Sequence, residues 1–184
     1  LGVMTDGAVA MQGKRVVWVG DTVDLDDHVL VSKATVRIDA QGGIVLPGLI
    51  DPHTHLVFAG SRHDEWGMRI RGGSYLDILA RGGGILSTVA QTREASAQAL
   101  AELALPRLKR FLAAGVTTCE VKSGYGLDVA HEIKILEVVR ALSTMQPVRL
   151  VPTLLGAHAL PHEFRAKRDV YVRTIVEEMI PEVA

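Results

Sequence analysis

The 184-residue chain has 48% hydrophobic and 22% charged residues and a net charge of −1. That balance can bury a sizeable core and offers no basic footprint for nucleic acid or an anionic membrane surface. One cysteine, Cys119, excludes an internal disulfide framework, and no signal core or membrane-length apolar run is present. The expected setting is cytoplasmic and reducing, with a small-molecule substrate as partner and neither nucleic acid nor membrane. Self-association into a homo-oligomer is left open.

Two grammars follow one another along the chain. Residues 1–43 read as a small antiparallel β segment: Ala8–Met11 and Arg15–Val19, joined through Gln12-Gly13-Lys14, then Thr35–Ile38. From 44 to 184 strand and helix alternate, which implies a parallel sheet or barrel. A strand runs from Ile44 to His55, a helix spans about 93–114, and a strand covers Val116–Lys122. A second helix spans about 128–143, a strand Val148–Leu155, and a third helix about 165–179. The first helix carries Leu100, Leu103, Leu108, Phe111 and Leu112 at roughly helical spacing and ends at Gly115, while Pro106 predicts a kink or a split. Asp128 is the expected N-cap of the second, whose buried stripe is Ile133, Leu136, Val139 and Leu142. Nearly forty residues between His55 and the first helix read as a long loop of the kind that serves active sites. Its Gly82-Gly83-Gly84 lacks the lysine of a phosphate loop and reads as a flexible segment.

Chemistry concentrates where apolar runs end. Pro47-Gly48-Leu49-Ile50-Asp51-Pro52-His53-Thr54-His55 closes a strand with two histidines one residue apart. Positions i and i+2 share a strand face roughly 6.6 Å apart, so both imidazoles can lean onto one ion. Arg62 reads either as a solvated arginine paired with Asp64 or Glu65, or as a bidentate clamp for a carboxylate. Tyr125 stands between two glycines at the end of the second strand, as a packed aromatic or a ligand contact. Glu120 and Lys122 share a face and read as an ion pair; Cys119 reads as core. His158 ends the third apolar run, structural or functional with equal weight. His28, His63, His131 and His162 read as surface or loop residues.

Leu46–His55 with Leu56-Val57-Phe58-Ala59-Gly60, the run Glu120–Leu127 and the run Gly156–Pro161 resemble the imidazolonepropionase family, histidine-degrading enzymes of the amidohydrolase superfamily. The His-x-His motif marks the superfamily. Glu-Val-Lys-Ser-Gly-Tyr-Gly-Leu with Leu-Gly-Ala-His-Ala-Leu-Pro marks the one family. The resemblance implies an α/β fold, a partial (β/α)8 TIM-like barrel with a small N-terminal β-sandwich segment. It implies one divalent metal ion, Zn or Fe, held by His53 and His55, and hydrolysis of 4-imidazolone-5-propanoate to N-formimidoyl-L-glutamate. Arg62 would then hold the carboxylate side of the substrate, and Tyr125 and His158 would contact it. Members of the family continue for about as many residues again, so only three of eight strand–helix units are expected here, and the general base and remaining ligands lie outside the chain. The rival readings are another amidohydrolase, such as a nucleobase deaminase, and a non-catalytic relative kept for assembly.

Overall fold

The computed structural model describes residues 2–184, the side chains of 79 and 80 excepted, so residue 1 of the N-terminal segment lies outside the described residues. Two compact units divide the chain, Leu1–Pro47 and Gly48–Ala184. In the first, β1 (Gly7–Gln12) and β2 (Arg15–Asp21) pair as an antiparallel hairpin. The chain reverses at Gly13, whose φ of 60° carries no Cβ penalty in glycine. After β2 the chain enters the short α1 (Leu25–His28), where Trp18 stacks on His28. The strand expected over Thr35–Ile38 is not formed. Val36 and Ile38 are exposed, and among the described residues nothing pairs with them. Ile44–Leu46, expected to start the first barrel strand, are likewise exposed and unpaired. β-branched residues favour extended backbone, but hydrogen bonds from a partner make the strand.

The second unit begins at β3 (Leu49–Thr54). The stretch expected to be one long loop holds three short helices, α2 (His63–Ile70), α3 (Tyr75–Ala80) and α4 (Ile85–Glu94). None is long enough to display a clear apolar period, but one signal was legible. Ser74 and Asp77 cap α3 reciprocally: the Asp77 carboxylate accepts from the Ser74 amide at 2.8 Å, and Ser74 Oγ accepts from the Asp77 amide at 3.2 Å. The Ser74 hydroxyl and amide hold the Asp77 carboxyl below its usual range. Gly82–Gly84 is a tied turn rather than a loose segment, since Gly84 donates to Glu65 Oε1 at 2.7 Å.

Ser96 caps α5 (Ala97–Ala113) by accepting from the Ala99 amide at 3.1 Å, and Gly115 follows the helix with φ of 83°. The helix runs unbroken through Pro106. Pro106 and Glu102, one turn back, lie on the solvent face, where water can satisfy the carbonyl that proline leaves without a donor. Next come β4 (Val116–Lys122), α6 (Val129–Met145) capped by Asp128, and β5 (Arg149–Thr153). The helix expected over 165–179 is α7 (Arg168–Thr174), which widens into a π turn over Ile175–Met179 and closes with one turn at Ile180–Val183.

Strands β3, β4 and β5 form a parallel sheet in that order, with Thr54 opposite Val121 and Lys122 opposite Thr153. The fold is thus mixed α/β, a hairpin and a three-stranded parallel sheet, and the described residues close no barrel. Helices α5 and α6 cover one face. Leu100, Ala104 and Leu108 of α5 meet Cys119 and Val121 of β4, Leu150 of β5, and Ile135, Val138, Val139 and Leu142 of α6. The buried stripes are narrower and turned from those expected: Leu103 and Leu112 are exposed, and Ile133 and Leu136 are only half-buried. A helix lying on a flat sheet buries one side, so neighbours flanking that side stay wet. The other face carries Thr118, Glu120, Lys122 and Thr153.

Lys134 of α6 fastens the end of α4 by donating to the carbonyls of Thr92, Arg93 and Ala95 at 3.2, 2.9 and 2.8 Å. Charged donors are worth more than neutral ones, so Lys134→Met is expected to cost about 1–3 kcal/mol. A denaturant midpoint unchanged in the complete protein would rule out that role.

Candidate metal and substrate site

His53 is exposed on β3 and His55 lies just past its end, half-buried. Their ring centroids are 5.8 Å apart, set edge to face. With nitrogen–metal bonds of about 2.0–2.1 Å, two imidazoles on one ion have centroids about 5 to 6.5 Å apart, so the pair fits a shared ion. His55 Nδ1 is buried with no hydrogen-bond partner, an arrangement that leaves a ring nitrogen in need of a ligand or donor. Burial, then the nearby His158, bring the His55 pKa down to about 4; the Ser123 backbone works the other way, and His53 and Lys122 add to the lowering. His55 is therefore neutral near pH 7, the state a metal ligand requires. Among the described residues no third His, Cys, Asp or Glu joins them in a metal-binding group.

Tyr125 and His158 reach the same place from the ends of β4 and β5. Ring centroids lie 4.4 Å apart for His55 and His158, nearly parallel, and 5.0 Å for His55 and Tyr125; Tyr125 and His158 are 5.4 Å apart. His158 Nδ1 lies 2.9 Å from the Gly124 carbonyl, which can only accept, so Nδ1 carries a proton and Nε2 is the nitrogen left for other contacts. Burial raises the Tyr125 pKa, and the charge of Arg62 opposes the rise, so Tyr125 is a neutral hydroxyl that feels the guanidinium.

Arg62 stands just ahead of α2 and donates Nε to Glu65 at 2.6 Å. The surface pairing expected for it is present, yet it engages only one edge of the guanidinium. Glu65 also accepts from Gly84, so Arg62 leans on an anchored carboxylate. His53, His55, Tyr125 and His158 thus form one group, while Arg62 is engaged by Glu65 and its charge is felt at Tyr125.

The remaining polar residues sort by partner. Glu120 accepts from Lys122 at 2.6 Å and from Thr153 at 2.7 Å, and these two hydrogen bonds hold its carboxyl below the usual range. Cys119 is buried and its thiol pKa is pushed up by burial, consistent with a core residue. His131 is half-buried on α6 with Nδ1 2.7 Å from Asp128, not a loose surface residue.

A groove of about 370 Å³ runs along the outer flank of β3, lined by Asp51, His53, His55 and Phe58 and, from α5, Arg107 and Phe111. Arg107 lies 3.7 Å over the Phe58 ring and donates to the carbonyls of Leu56 and Phe58 at 2.8 and 3.0 Å. It fastens the segment that leaves His55, and nothing in its surrounding sequence announces that role. Glu132 was also missed; an acid in the first turn of a helix reads as an ordinary cap charge, yet it is completely buried.

No family model matches the chain. It is 54% identical over 176 residues to an imidazolonepropionase of Myxococcus xanthus, which covers 96% of this chain and 42% of that protein. It is 50% identical over 185 residues to one of Geobacillus kaustophilus, all of this chain and 44% of that protein. The imidazolonepropionase of Alkaliphilus metalliredigens is 48% identical over 97% of this chain and 42% of its own length. The chain spans less than half the length of these curated relatives. The histidines and tyrosine that meet past the ends of three parallel strands therefore belong to a chain that is homologous along its whole length to imidazolonepropionases.

Proposed function

We infer that the chain is part of a metal-dependent hydrolase that opens the cyclic carbon–nitrogen bond of 4-imidazolone-5-propanoate to give N-formimidoyl-L-glutamate. Identity of about half its residues to imidazolonepropionases carries this reading. The polar face of the sheet, with Glu120, Lys122 and Thr153 opposite the helix-covered face, supports completion into a (β/α)8 barrel, whose strand ends hold the chemistry.

His53 and His55 would hold one divalent ion, Zn or Fe. When bound, that ion supplies Lewis-acid activation of water and of the ring carbonyl. Arg62, its Nε committed to Glu65, offers its terminal nitrogens to the propanoate carboxylate. Tyr125 packs against the ring and offers its neutral hydroxyl. His158, with Nδ1 tied to Gly124, turns Nε2 to the substrate. None of these residues is assigned as the general base.

The test uses the complete polypeptide that carries this sequence, loaded with zinc or iron. Incubation with 4-imidazolone-5-propanoate is expected to yield N-formimidoyl-L-glutamate, followed by loss of the imidazolone absorbance. Ammonia release from adenine, guanine or cytosine with no turnover of the imidazolone would overturn the reading in favour of a deaminase.

A further inference from the structure

The turn that presents Tyr125 is held from behind by a carboxylate no sequence signal marked. Glu132 of α6 is fully buried, and its three hydrogen-bond partners are all backbone amides: Gly124 to Oε2 at 2.8 Å, and Gly126 and Leu127 to Oε1 at 2.7 Å each. A buried carboxylate is costly unless its lone pairs are filled, and three converging amides near a helix N-terminus fill them. The turn is shaped to fit. Gly124 and Leu127 take φ of 99° and 54°, and a Cβ on Gly126 would stand 2.5 Å from the Glu132 nitrogen.

The far side of the turn is pressed against the second substrate-facing loop. A Cβ on Gly124 would meet the His158 ring nitrogen at 2.9 Å, and the Gly124 carbonyl takes the His158 Nδ1 proton. Ser123 Oγ accepts from Leu155 at 2.8 Å, and Tyr171 donates to the Gly156 carbonyl at 2.6 Å. Displacing the turn therefore displaces Tyr125 directly and His158 through the Gly124 carbonyl.

We propose that Glu132 is a positioning residue: its buried carboxylate sets the Ser123–Leu127 turn before any ligand arrives, and so fixes Tyr125 and, through Gly124, the His158 ring that faces the same substrate. The proposal rests on the reading of Tyr125 and His158 as substrate contacts. A cap that merely stabilised α6 would need one acceptor for its own first-turn amides; Glu132 spends both oxygens on the preceding turn.

The test is a double-variant cycle in the complete, metal-loaded protein with 4-imidazolone-5-propanoate. Glu132→Gln keeps the size but turns one acceptor oxygen into a donor, so one arm of the clamp is lost. Full metal content with kcat/KM down about 10–100-fold is expected, the range for residues that orient a site's contacts. Combined with Tyr125→Phe, the loss is expected to be at most a few-fold beyond that of the worse single variant, because both act on one contact. Wild-type kcat/KM for Glu132→Gln, or losses that multiply, overturns the proposal while leaving the site reading intact when Tyr125→Phe is impaired. Unimpaired Tyr125→Phe overturns the site reading itself, and the proposal with it. If Glu132→Gln does not fold, Glu132→Asp, which keeps the charge and shortens the reach, enters the same cycle. If neither folds, amide exchange in the unaltered protein decides. Protection of Gly124, Gly126 and Leu127 without ligand supports a preset turn; protection appearing only with imidazole-4-propanoate overturns it.

Discussion

Replacing His53 and His55 together with alanine is expected to strip the divalent metal from the complete protein and to lower turnover of the imidazolone by more than about a thousandfold, since metal activation is worth several kcal/mol and each 1.36 kcal/mol is tenfold. The two rings stand 5.8 Å apart on the end of β3, and burial keeps His55 neutral. No other described residue completes a group of three around them, so no described residue stands ready to replace them. A catalytic zinc normally takes three protein ligands. Removing two should abolish stoichiometric binding, as elemental analysis after dialysis reads directly. The single variants should each lose metal less completely, because one imidazole and any ligand from elsewhere in the protein persist. Stoichiometric metal in the double variant would remove the pair from the metal site.

Arg62→Ala is expected to lower kcat/KM by about 100-fold or more and Arg62→Lys by about tenfold, with metal content unchanged, since a bidentate guanidinium–carboxylate pair is stronger and more directional than an ammonium. The distinction between the two variants matters because Glu65 takes only Nε. Lysine keeps the charge that Tyr125 feels but lacks the second, parallel donor. If the carboxylate is bound this way, the loss appears mainly as a raised KM, since the group is remote from the ring bond that breaks. Equal kinetics for wild type and both variants would leave Arg62 as no more than the surface partner of Glu65.

Local chemistry was legible wherever a short stretch of chain carries its own determinants. Short apolar runs joined through Gln12-Gly13-Lys14 marked β1 and β2, Gly115 marked the end of α5, Asp128 capped α6, and the His-x-His spacing put two imidazoles at one strand end. These depend on residues a few positions apart, whose geometry the backbone dictates. Pro106 misled because a proline's effect depends on whether water reaches the carbonyl one turn back. Thr35–Ile38 misled because extended preference does not supply a partner strand. The three helices after His55 were hidden by their brevity, although the Ser74–Asp77 cap was there to be read.

Sequence by itself determined the hairpin, the βα alternation and the kinds of side chain at each strand end. Only the tertiary structure decided their meeting: the parallel register that brings His55, Tyr125 and His158 within 5.4 Å of one another, the proton on His158 Nδ1, and the burial of Glu132 behind the turn. The Tyr125–His158 meeting joins segments more than thirty residues apart. Such contacts depend on how sheet and helices pack as a whole, which no local pattern of residues encodes.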